Sequence, residues 1–421
     1  MASITFADVV HQSINFSREI PSESLVLDLI DTAWVQRLRD ISQTANTRLV
    51  YMFSEHSRFG HSLGVAHLAN LLMQRLAQDC LEKVKPYREA VSAAALLHDV
   101  GHLAPGSHTA YKTWFPEQAD QHEKIAIRII SEDPELQKVL GSHGDALSET
   151  ICRIIREDSE LPSWTWEIIS GGGWNVDRGN WCIVDSILAG VSYGKYNIPA
   201  LTDSIVISDN DHLALRENRL DAMMHFAVSR HAMYKQMYQH RVLLAADVLN
   251  SAIAKRARAI TDKIDFADAT MRKVLEANQV GELSITDYFN MREPWWRYHL
   301  MRWSNDRDSI LADLCSRLLN RNLLKTVRVS SDDQYESLLR QARESVSECG
   351  YDPDYYLHTV KTGNMQSGDS HQSMHVLMED GRLSPVSNAD PLFHALLNET
   401  RTKNVWLVMP AEAKGKLGRT R

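Results

Sequence analysis

The feature that most constrains this chain is a histidine on the apolar face of a long predicted helix. His61 is followed at helical spacing by the apolar residues Val65, Leu68, Leu72 and Leu76. An imidazole on that face points inward, and a buried polar ring needs a partner, for which a metal ion is well suited. The segment therefore predicts a helical protein with a polar centre.

A histidine and an aspartate stand side by side at the end of a second predicted helix. The segment Arg88–Val100 is rich in alanine and has helical periodicity, and Gly101 follows it as the predicted C-cap. Adjacent helical residues diverge by about 100°, so His98 and Asp99 can flank one ion at a helix end. Taken alone, the pair equally fits a satisfied core histidine beside a solvated carboxylate.

A third helix is predicted to begin at Asp177, with Trp181 and Asp185 one and two turns later on the same face. A carboxylate that faces the interior is costly unless it is paired or bound to a metal. The sequence therefore predicts a metal centre made by three helices, with the ligands His61, His98, Asp99 and Asp177. Nitrogen and carboxylate ligands suit a divalent iron, manganese, nickel or zinc ion, and they also permit magnesium.

Further histidines follow the dyad closely along the chain. His102, His108 and His122 lie within one stretch, and Glu123 is next to the last of them. A carboxylate beside an imidazole can keep the ring protonated, as a general acid requires near neutral pH. Surface histidines on a loop are the alternative interpretation.

Arginines near these residues suggest a phosphate site. The guanidinium group is a fork-shaped donor that matches phosphate oxygens. Arg58 lies three residues before His61, and Arg178 is next to Asp177. Ordinary surface charge is the alternative for the set Arg37, Arg39, Arg58, Arg178 and Arg230, and the positions of Arg58 and Arg178 favour phosphate binding over it.

The pattern predicts a mainly α-helical protein with a smaller C-terminal α/β lobe. Residues 25–265 have mostly helical periodicity, with individual helices near residues 120–132, 147–157, 178–192, 215–256 and 264–276. Later helices are predicted at Asp308–Asn320 and Asp332–Cys349, and short strands at Leu324–Val329, Tyr355–Lys361, Met374–Met378 and Val405–Met409. We therefore predict a helical core at residues 1–280 and an α/β lobe at residues 281–421.

The composition favours a folded cytoplasmic protein. Hydrophobic residues make up 44% of the 421 residues, which is enough for a sizeable core, and the formal charge of -8 does not indicate general nucleic-acid binding. The five cysteines include no CxxC pair, so reduced thiols are expected and a cysteine zinc site is not. The sequence shows no signal-peptide pattern and no apolar run long enough to span a membrane.

Three segments together resemble the HD-domain superfamily: Gln36–Gln43, Arg58–Val65 and Leu96–His102. More narrowly, they are similar to its deoxynucleoside triphosphate (dNTP) triphosphohydrolase branch, which includes the vertebrate sterile-alpha-motif HD-domain enzyme and bacterial dGTPases. The opening Asp8–His11 is similar to the usual start of that branch. The resemblance covers roughly residues 8–260, and it implies an HD helical bundle that hydrolyses a dNTP to a deoxynucleoside and triphosphate.

The resemblance also implies roles for individual residues. It assigns the metal to the four ligands already named, and the candidate catalytic residues are His102, His108, His122 and Glu123. Within this set, Glu123 would be the acidic partner of His122. The implied substrate-contacting residues are Gln43 and Asp185 at the sugar, Arg58, Arg178 and Arg230 at the triphosphate, and Trp181, Tyr238 and Gln239 in the same pocket.

The chain departs from the usual pattern of this branch at several positions. Asn175 and Asn180 stand where aspartate is usual, Trp181 replaces a tyrosine that contacts phosphate, and Gly60 replaces a common glutamate. The metal ligands are all retained. The changes bear on substrate preference, because Trp181 would reshape the pocket.

Two other functions fit parts of the sequence. One is a different HD phosphohydrolase, a nucleotidase or phosphodiesterase, and the other is a nucleotide-sensing protein without catalysis. Relatives in the dNTP branch are commonly oligomers whose assembly responds to nucleotides, so the resemblance implies a homo-oligomer and an activator nucleotide. Nothing in the sequence indicates that the protein binds a membrane. Its acidic net charge does not favour nucleic acid as a partner.

Overall fold

The structure is a computed structural model, and it describes residues 3–106, 109–329, 332–362, 374–393 and 404–417. The fold is mainly helical with small sheets, which confirms the predicted fold class. Among the described residues, no helix is both long enough and apolar enough to cross a membrane.

The chain begins with a β-hairpin that the sequence pattern did not predict. Strands β1 (Ser3–Asp8) and β2 (Gln12–Ser17) pair antiparallel. The Asp8 side chain accepts hydrogen bonds from the backbone amides of Val10 and His11, and Gln12 has a positive φ of 61°. The polar side chain therefore forms the turn in place of the glycine that such a turn usually contains.

Ten α-helices form the first part of the bundle. They are α1 (Pro21–Ile30), α2 (Ala33–Arg37), α3 (Arg58–Val84), α4 (Arg88–Leu97), α5 (Ala110–Trp114), α6 (His122–Glu132), α7 (Pro134–His143), α8 (Leu147–Ile155), α9 (Trp164–Ser170) and α10 (Val176–Leu188). Helix α3 packs against α4 and α10, and α4 also packs against α1 and α8. The three helices predicted to carry metal ligands are therefore neighbours in the core.

Helices and two strands form the next part. They are α11 (Ile198–Thr202), β3 (Ile205–Ile207), β4 (Leu213–Arg216), α12 (Leu220–Met233), α13 (Arg241–Ala259), α14 (Ala269–Glu276), α15 (Ile285–Asn290), α16 (Glu293–Trp303) and α17 (Ser309–Leu319). A single helix was predicted over residues 215–256, and that prediction is wrong. The segment starts in strand β4, and a π-helical turn at Tyr234–Tyr238 separates α12 from α13.

The C-terminal elements are β5 (Lys325–Val329), α18 (Asp332–Glu348), α19 (Pro353–Tyr356), β6 (His358–Thr362), β7 (His375–Leu377), β8 (Leu383–Pro385), α20 (Val386–Ala389), β9 (Asn404–Met409) and α21 (Ala411–Leu417). The four predicted strands of this region are confirmed, except that the first residues of one of them form α19. Strand β9 lies between β5 and β6, while β7 pairs parallel with β4 and antiparallel with β8. The last part of the chain thus adds strands to a sheet that begins in the helical body.

Gly101 does not end α4 in the way that was predicted. A C-cap glycine normally has a positive φ, and Gly101 does not belong to the residues with that conformation. Its role is steric instead, because a Cβ at this position would lie 2.0 Å from the backbone oxygen of His122 and 2.7 Å from the amide of Ala126. The missing side chain allows α6 to approach the end of α4 closely.

We expect Gly101→Ala to lower the free energy of unfolding by about 1–3 kcal/mol, because an overpacked contact against backbone must be relieved by moving a helix. Gly141→Ala in helix α7 is the matched control, since among the described residues nothing outside its own helix lies within 4 Å of the added Cβ. That control should be neutral or stabilise the protein by up to about 1 kcal/mol. Urea unfolding of both variants measures this, and equal stability of the two would contradict the packing argument.

Candidate metal centre and active site

The four predicted metal ligands lie around one point. His61 Nε2 is 2.9 Å from an Asp177 oxygen and 3.7 Å from an Asp99 oxygen. His98 Nε2 is 3.4 Å from Asp99 and 3.7 Å from Asp177. Residues separated by more than one hundred positions in the sequence thus place two imidazoles and two carboxylates at one centre.

Three helix segments position these side chains. His61 comes from the first turn of α3, His98 and Asp99 follow the end of α4, and Asp177 lies in the first turn of α10. The α10 terminus is fixed by an N-cap, since the Asn175 side chain accepts a hydrogen bond from the amide of Arg178 at 2.7 Å. The capping contact explains why α10 begins directly after Asn175, which places Asp177 in its first turn, as predicted.

The chemistry of this centre fits a divalent cation. Burial alone would lower the pKa of His98, but the charges of Asp99 and Asp177 raise it to about 9. Burial would raise the pKa of Asp177, yet His61 and His98 hold it well below its usual value. The His98 Nε2 atom is buried and has no hydrogen-bond partner among the described residues. Negative charge that would attract a proton to His98 would equally attract a metal ion.

Asn180 orients the first of these histidines. Its side-chain oxygen is 2.9 Å from His61 Nδ1, so Nδ1–H donates to the amide and Nε2 is left facing Asp177. The contact needs a glycine on α3, because a Cβ at Gly64 would lie 2.2 Å from Asn180 Nδ2. In the sequence, Asn180 was noticed only as a departure from the usual aspartate, and this orienting role was missed.

Arg58 lies beneath the centre and is not a surface charge. Its guanidinium group is 4% exposed and donates a hydrogen bond to Asp99 Oδ2 at 2.6 Å. Burial would raise the pKa of Asp99, but the positive charge of Arg58, followed by that of His98, holds it well below the usual value. A contact with triphosphate, as the resemblance implies, would add to this ion pair.

His102 and His122 form a stacked pair beside the centre. Their rings are 4.2 Å apart and nearly parallel, and His102 Nε2 is 3.2 Å from Asp99 Oδ1. His102 is fully buried and the side chain of His122 is 18% exposed, so the interpretation as surface histidines is wrong for both. The predicted residue His108 lies outside the described residues.

His122 has an acidic contact that was not predicted. Its Nδ1 is 2.9 Å from Asp120 Oδ1, so Asp120 is a hydrogen-bonded carboxylate, while the predicted partner Glu123 acts on the ring through its charge. Burial lowers the pKa of His122, but Asp120, and then the charge of Glu123, raise it overall. Burial, together with the positive charges of Arg58 and His122, holds the pKa of His102 well below its usual value. Opposite pKa shifts in stacked rings separate a proton donor from a neutral neighbour.

Two of the predicted pocket residues on α10, Asp185 and Trp181, both contact Tyr238. Asp185 is buried, and its two carboxylate oxygens contact His56 Nε2 and the Tyr238 hydroxyl. The ring of Trp181 meets that of Tyr238 edge-on with centroids 5.6 Å apart. Gln43 is also buried, and its backbone amide donates to His56 O at 3.0 Å. Gln239 directly follows the π-helical turn that carries Tyr238.

The two remaining predicted arginines occupy different surroundings. Arg178 is half-buried, and its guanidinium group donates to the carbonyl oxygen of Gly171 in the loop before α10. Arg230 is 6% exposed near the end of α12, with its guanidinium carbon 5.5 Å from the Tyr234 ring centroid. Neither is an ordinary solvated charge.

Arg37 holds the backbone around the site together. It is 1% exposed, and burial first of all lowers its pKa to about 9. Its guanidinium group donates to carbonyl oxygens after α4 and around α15, those of Val100, His102, Tyr288, Phe289 and Met291. The interpretation of Arg37 as a surface charge is therefore wrong. Its side chain links the main chain that follows α4 to the main chain around α15.

The HD-domain family profile matches residues 58–215, the span that contains all four ligands of the centre. The chain therefore carries an HD domain over this span. The metal-dependent phosphohydrolase class is consistent with the imidazole and carboxylate cluster at its core.

Relatives extend this match over the chain. It is 28% identical over 407 residues to the uncharacterized protein YwfO of Bacillus subtilis, covering 94% of this chain and 90% of that one. It is 25% identical over 300 residues to a Dictyostelium discoideum protein named deoxynucleoside triphosphate triphosphohydrolase SAMHD1 homolog, covering 65% and 56%. The mouse protein of that name is 27% identical over 286 residues, which span 58% of this chain and 42% of the mouse protein.

The fold matches solved structures over nearly its whole length. A crystal structure of a phosphohydrolase from Bacteroides thetaiotaomicron superposes with a TM-score of 0.83 at 21% identity, covering 97% of this chain and 100% of that one. A hypothetical protein from Aquifex aeolicus gives a TM-score of 0.74 at 24% identity, covering 99% and 100%. The arrangement of elements is therefore shared with these two solved proteins.

Removing the orienting amide should weaken metal binding. We expect Asn180→Ala to lower the affinity for Mn²⁺ by about 10–100-fold, because His61 would lose the acceptor that fixes its ring. Asn180→Asp is the control and should retain most of the affinity, since it keeps an oxygen acceptor at the same place. Chelator competition measures both, and unchanged affinity in the alanine variant would exclude the orienting role.

The Asp120 contact predicts a pH effect at His122. Because Asp120 helps to raise the pKa of His122, the protonated ring persists to higher pH than in a free histidine. Asp120→Asn should lower that pKa, so that the ring loses its proton at a lower pH and the alkaline limb of the activity profile moves down. NMR titration of the His122 ring tests this, with Glu123→Gln expected to cause a smaller shift. A larger shift from Glu123→Gln would restore the original assignment.

Proposed function

We propose that this phosphohydrolase cleaves a dNTP to a deoxynucleoside and inorganic triphosphate. The observation that carries the proposal is the hydrogen bond from the Tyr238 hydroxyl to Asp185. Asp185 lies on α10 about two turns after the metal ligand Asp177. A carboxylate and a tyrosine beside the metal centre suit a deoxyribose whose triphosphate extends toward that centre. Curated relatives named dNTP triphosphohydrolases give independent support.

The metal would be held by His61, His98 and Asp177, whose ligand atoms lie close together, with Asp99 as the fourth ligand beside both histidines. A divalent cation bound there supplies Lewis acidity, which lowers the pKa of water and polarises a phosphate oxygen. Iron, manganese, magnesium, nickel and zinc all accept these ligand types. Asn180 and Arg58 keep the ligands in place, the first by a hydrogen bond to His61 and the second by an ion pair with Asp99.

The triphosphate would be bound by arginines on three elements. Arg58, Arg178 and Arg230 come from α3, α10 and α12, and each combines positive charge with a planar set of donors. Such donors offset the charge that spreads over the phosphate oxygens during hydrolysis. Three arginines fit a triphosphate better than a monophosphate or a cyclic nucleotide.

His122 would donate the proton that the leaving group needs. In the proposed reaction, water attacks the α-phosphorus and the bond from phosphorus to the 5′-oxygen breaks. The proton on His122 passes to that oxygen, giving the nucleoside hydroxyl. The water oxygen remains on the triphosphate, and the proton that the water loses passes to solvent, from which His122 is protonated again. Asp120 and Glu123 favour the protonated ring of His122, while the depressed pKa of His102 keeps that ring neutral.

The pocket residues would select the sugar and the base. Tyr238 would pack under the deoxyribose and disfavour a 2′-hydroxyl, with Gln43 and Gln239 as further contacts. Trp181 presents a larger ring than the tyrosine usual at its position and would narrow the pocket. We further propose a cytoplasmic homo-oligomer that responds to an activator nucleotide, as the dNTP branch implies.

The test is to incubate the purified chain with each dNTP and NTP in Mn²⁺, Mg²⁺, Fe²⁺, Ni²⁺ or Zn²⁺ and to separate the products by chromatography. We expect deoxynucleoside and triphosphate in equal amounts from dNTPs, and little reaction with NTPs. Release of phosphate or pyrophosphate would instead identify another type of phosphohydrolase, and metal binding without hydrolysis would favour a sensing protein.

Alanine variants of the metal ligands should lose turnover while they remain folded. His98→Ala and Asp177→Ala should each reduce turnover by at least about 10³-fold, because the charged centre would lose a ligand. Asp211→Ala removes a surface carboxylate paired with Lys83 and should leave turnover unchanged. Metal content and circular dichroism show whether each variant is folded, and full turnover in a folded His98→Ala protein would refute the proposed centre.

A further inference from the structure

His56 is a mostly buried histidine to which the proposed mechanism assigns no role. It lies two residues before Arg58, in the segment that leads into α3. Its Nε2 is 2.7 Å from Asp185 Oδ1, with side-chain exposures of 12% for His56 and 3% for Asp185. A carboxylate can only accept from the ring, so Nε2 carries the proton in this contact.

The backbone holds His56 firmly in this position. Its carbonyl oxygen accepts a hydrogen bond from the Gln43 amide at 3.0 Å, and the adjoining residues Ser42 and Ser57 form an isolated antiparallel bridge. The Arg58 amide donates to Ile41 O at 2.9 Å. His56 is thus fixed on one side by the segment that carries Gln43 and on the other by the helix that carries His61.

Asp185 is held from both sides by these neighbours. His56 engages one carboxylate oxygen, and the Tyr238 hydroxyl engages the other. A carboxylate with two oxygens has about four acceptor sites, so two donors fix its plane and leave lone pairs for a third donor. The orientation of Asp185 therefore depends on His56 as much as on Tyr238.

Two buried polar atoms in these segments have no hydrogen-bond partner among the described residues. They are Gln43 Oε1 and His56 Nδ1, in two residues joined by a main-chain hydrogen bond. Buried polar atoms nearly always have partners, so each of these acceptors indicates a missing donor such as a hydroxyl group. A sugar hydroxyl or a water that accompanies it has the required chemistry.

We propose that His56 is a positioning residue that holds Asp185 in the orientation in which this carboxylate would accept a hydrogen bond from the 3′-hydroxyl of the sugar, the contact that the family resemblance implies for Asp185. The inference rests on the proposed dNTP hydrolysis and adds a specificity determinant to it. The inference predicts that removing His56 lowers kcat/KM only for substrates with a 3′-hydroxyl. The reason is that His56 acts through Asp185, the carboxylate that would contact the 3′-oxygen.

The experiment compares dATP with 2′,3′-dideoxyadenosine triphosphate, using the full chain and Mn²⁺. For His56→Ala we expect kcat/KM on dATP to fall by about 10–100-fold, the usual effect of losing a hydrogen bond to a charged group. The dideoxy substrate lacks the hydroxyl, so its kcat/KM should change by no more than about twofold. His56→Gln, whose amide can still donate to Asp185, should restore most of the activity on dATP.

A matched control comes from a similar ion pair elsewhere. His143 Nε2 is 2.8 Å from Asp28 Oδ2, and the His143 side chain is 17% exposed, but the pair joins α7 to α1. His143→Ala should leave the preference for dATP over the dideoxy substrate unchanged. In a double-mutant cycle, His56→Ala should add little to the loss caused by Asp185→Ala, because both act on one contact.

The outcomes separate this inference from the proposed function. Wild-type protein that cleaves neither nucleotide would refute dNTP hydrolysis, and the role of His56 with it. Wild-type protein that prefers dATP, together with a His56→Ala variant that keeps the same preference, would refute only the role of His56. Equal losses on both substrates would show a general structural role and would also overturn the inference.

Discussion

The structure depends on how one buried and one half-buried carboxylate, Asp99 and Asp177, are compensated where three helices meet. Removing a carboxylate from water is costly, and the cost is recovered only through nearby positive charge and hydrogen bonds. Asp99 receives a guanidinium group from Arg58, and Asp177 receives the ring of His61. Each compensating group comes from α3, so the centre joins α3 to α4 and α10. A metal ion with two positive charges would satisfy the same negative charge more completely than protons can.

The main chain around this centre is held by parts of the fold that carry no ligand. Arg37 binds the carbonyl oxygens that follow α4 to those around α15, and the missing side chain of Gly101 lets α6 approach the end of α4. Residues on either side of position 280 therefore meet next to the active site. Such contacts make the position of His122 depend on the packing of distant helices, although it lies only about twenty residues from the ligands His98 and Asp99.

The side chains with chemical roles each have a neighbour that fixes their orientation. Asn180 orients His61, Asp120 binds His122, and His56 and Tyr238 hold Asp185. These neighbours set which nitrogen of a ring carries the proton and which way a carboxylate faces. The orientation and protonation of the functional side chains thus depend on neighbouring residues that are not themselves part of the HD pattern.

The sequence by itself determined the helical class and the three helices that carry the four candidate ligands. Helical periodicity reveals buried faces, and a histidine or aspartate that interrupts such a face is conspicuous, as His61 and Asp177 are. It did not reveal the Asp8 turn, the break of the predicted 215–256 helix, or the partners Asp120, Asn180 and His56. Only the tertiary structure decided these, because a short polar side chain has no periodic signature and its partner is set by which distant segments come into contact.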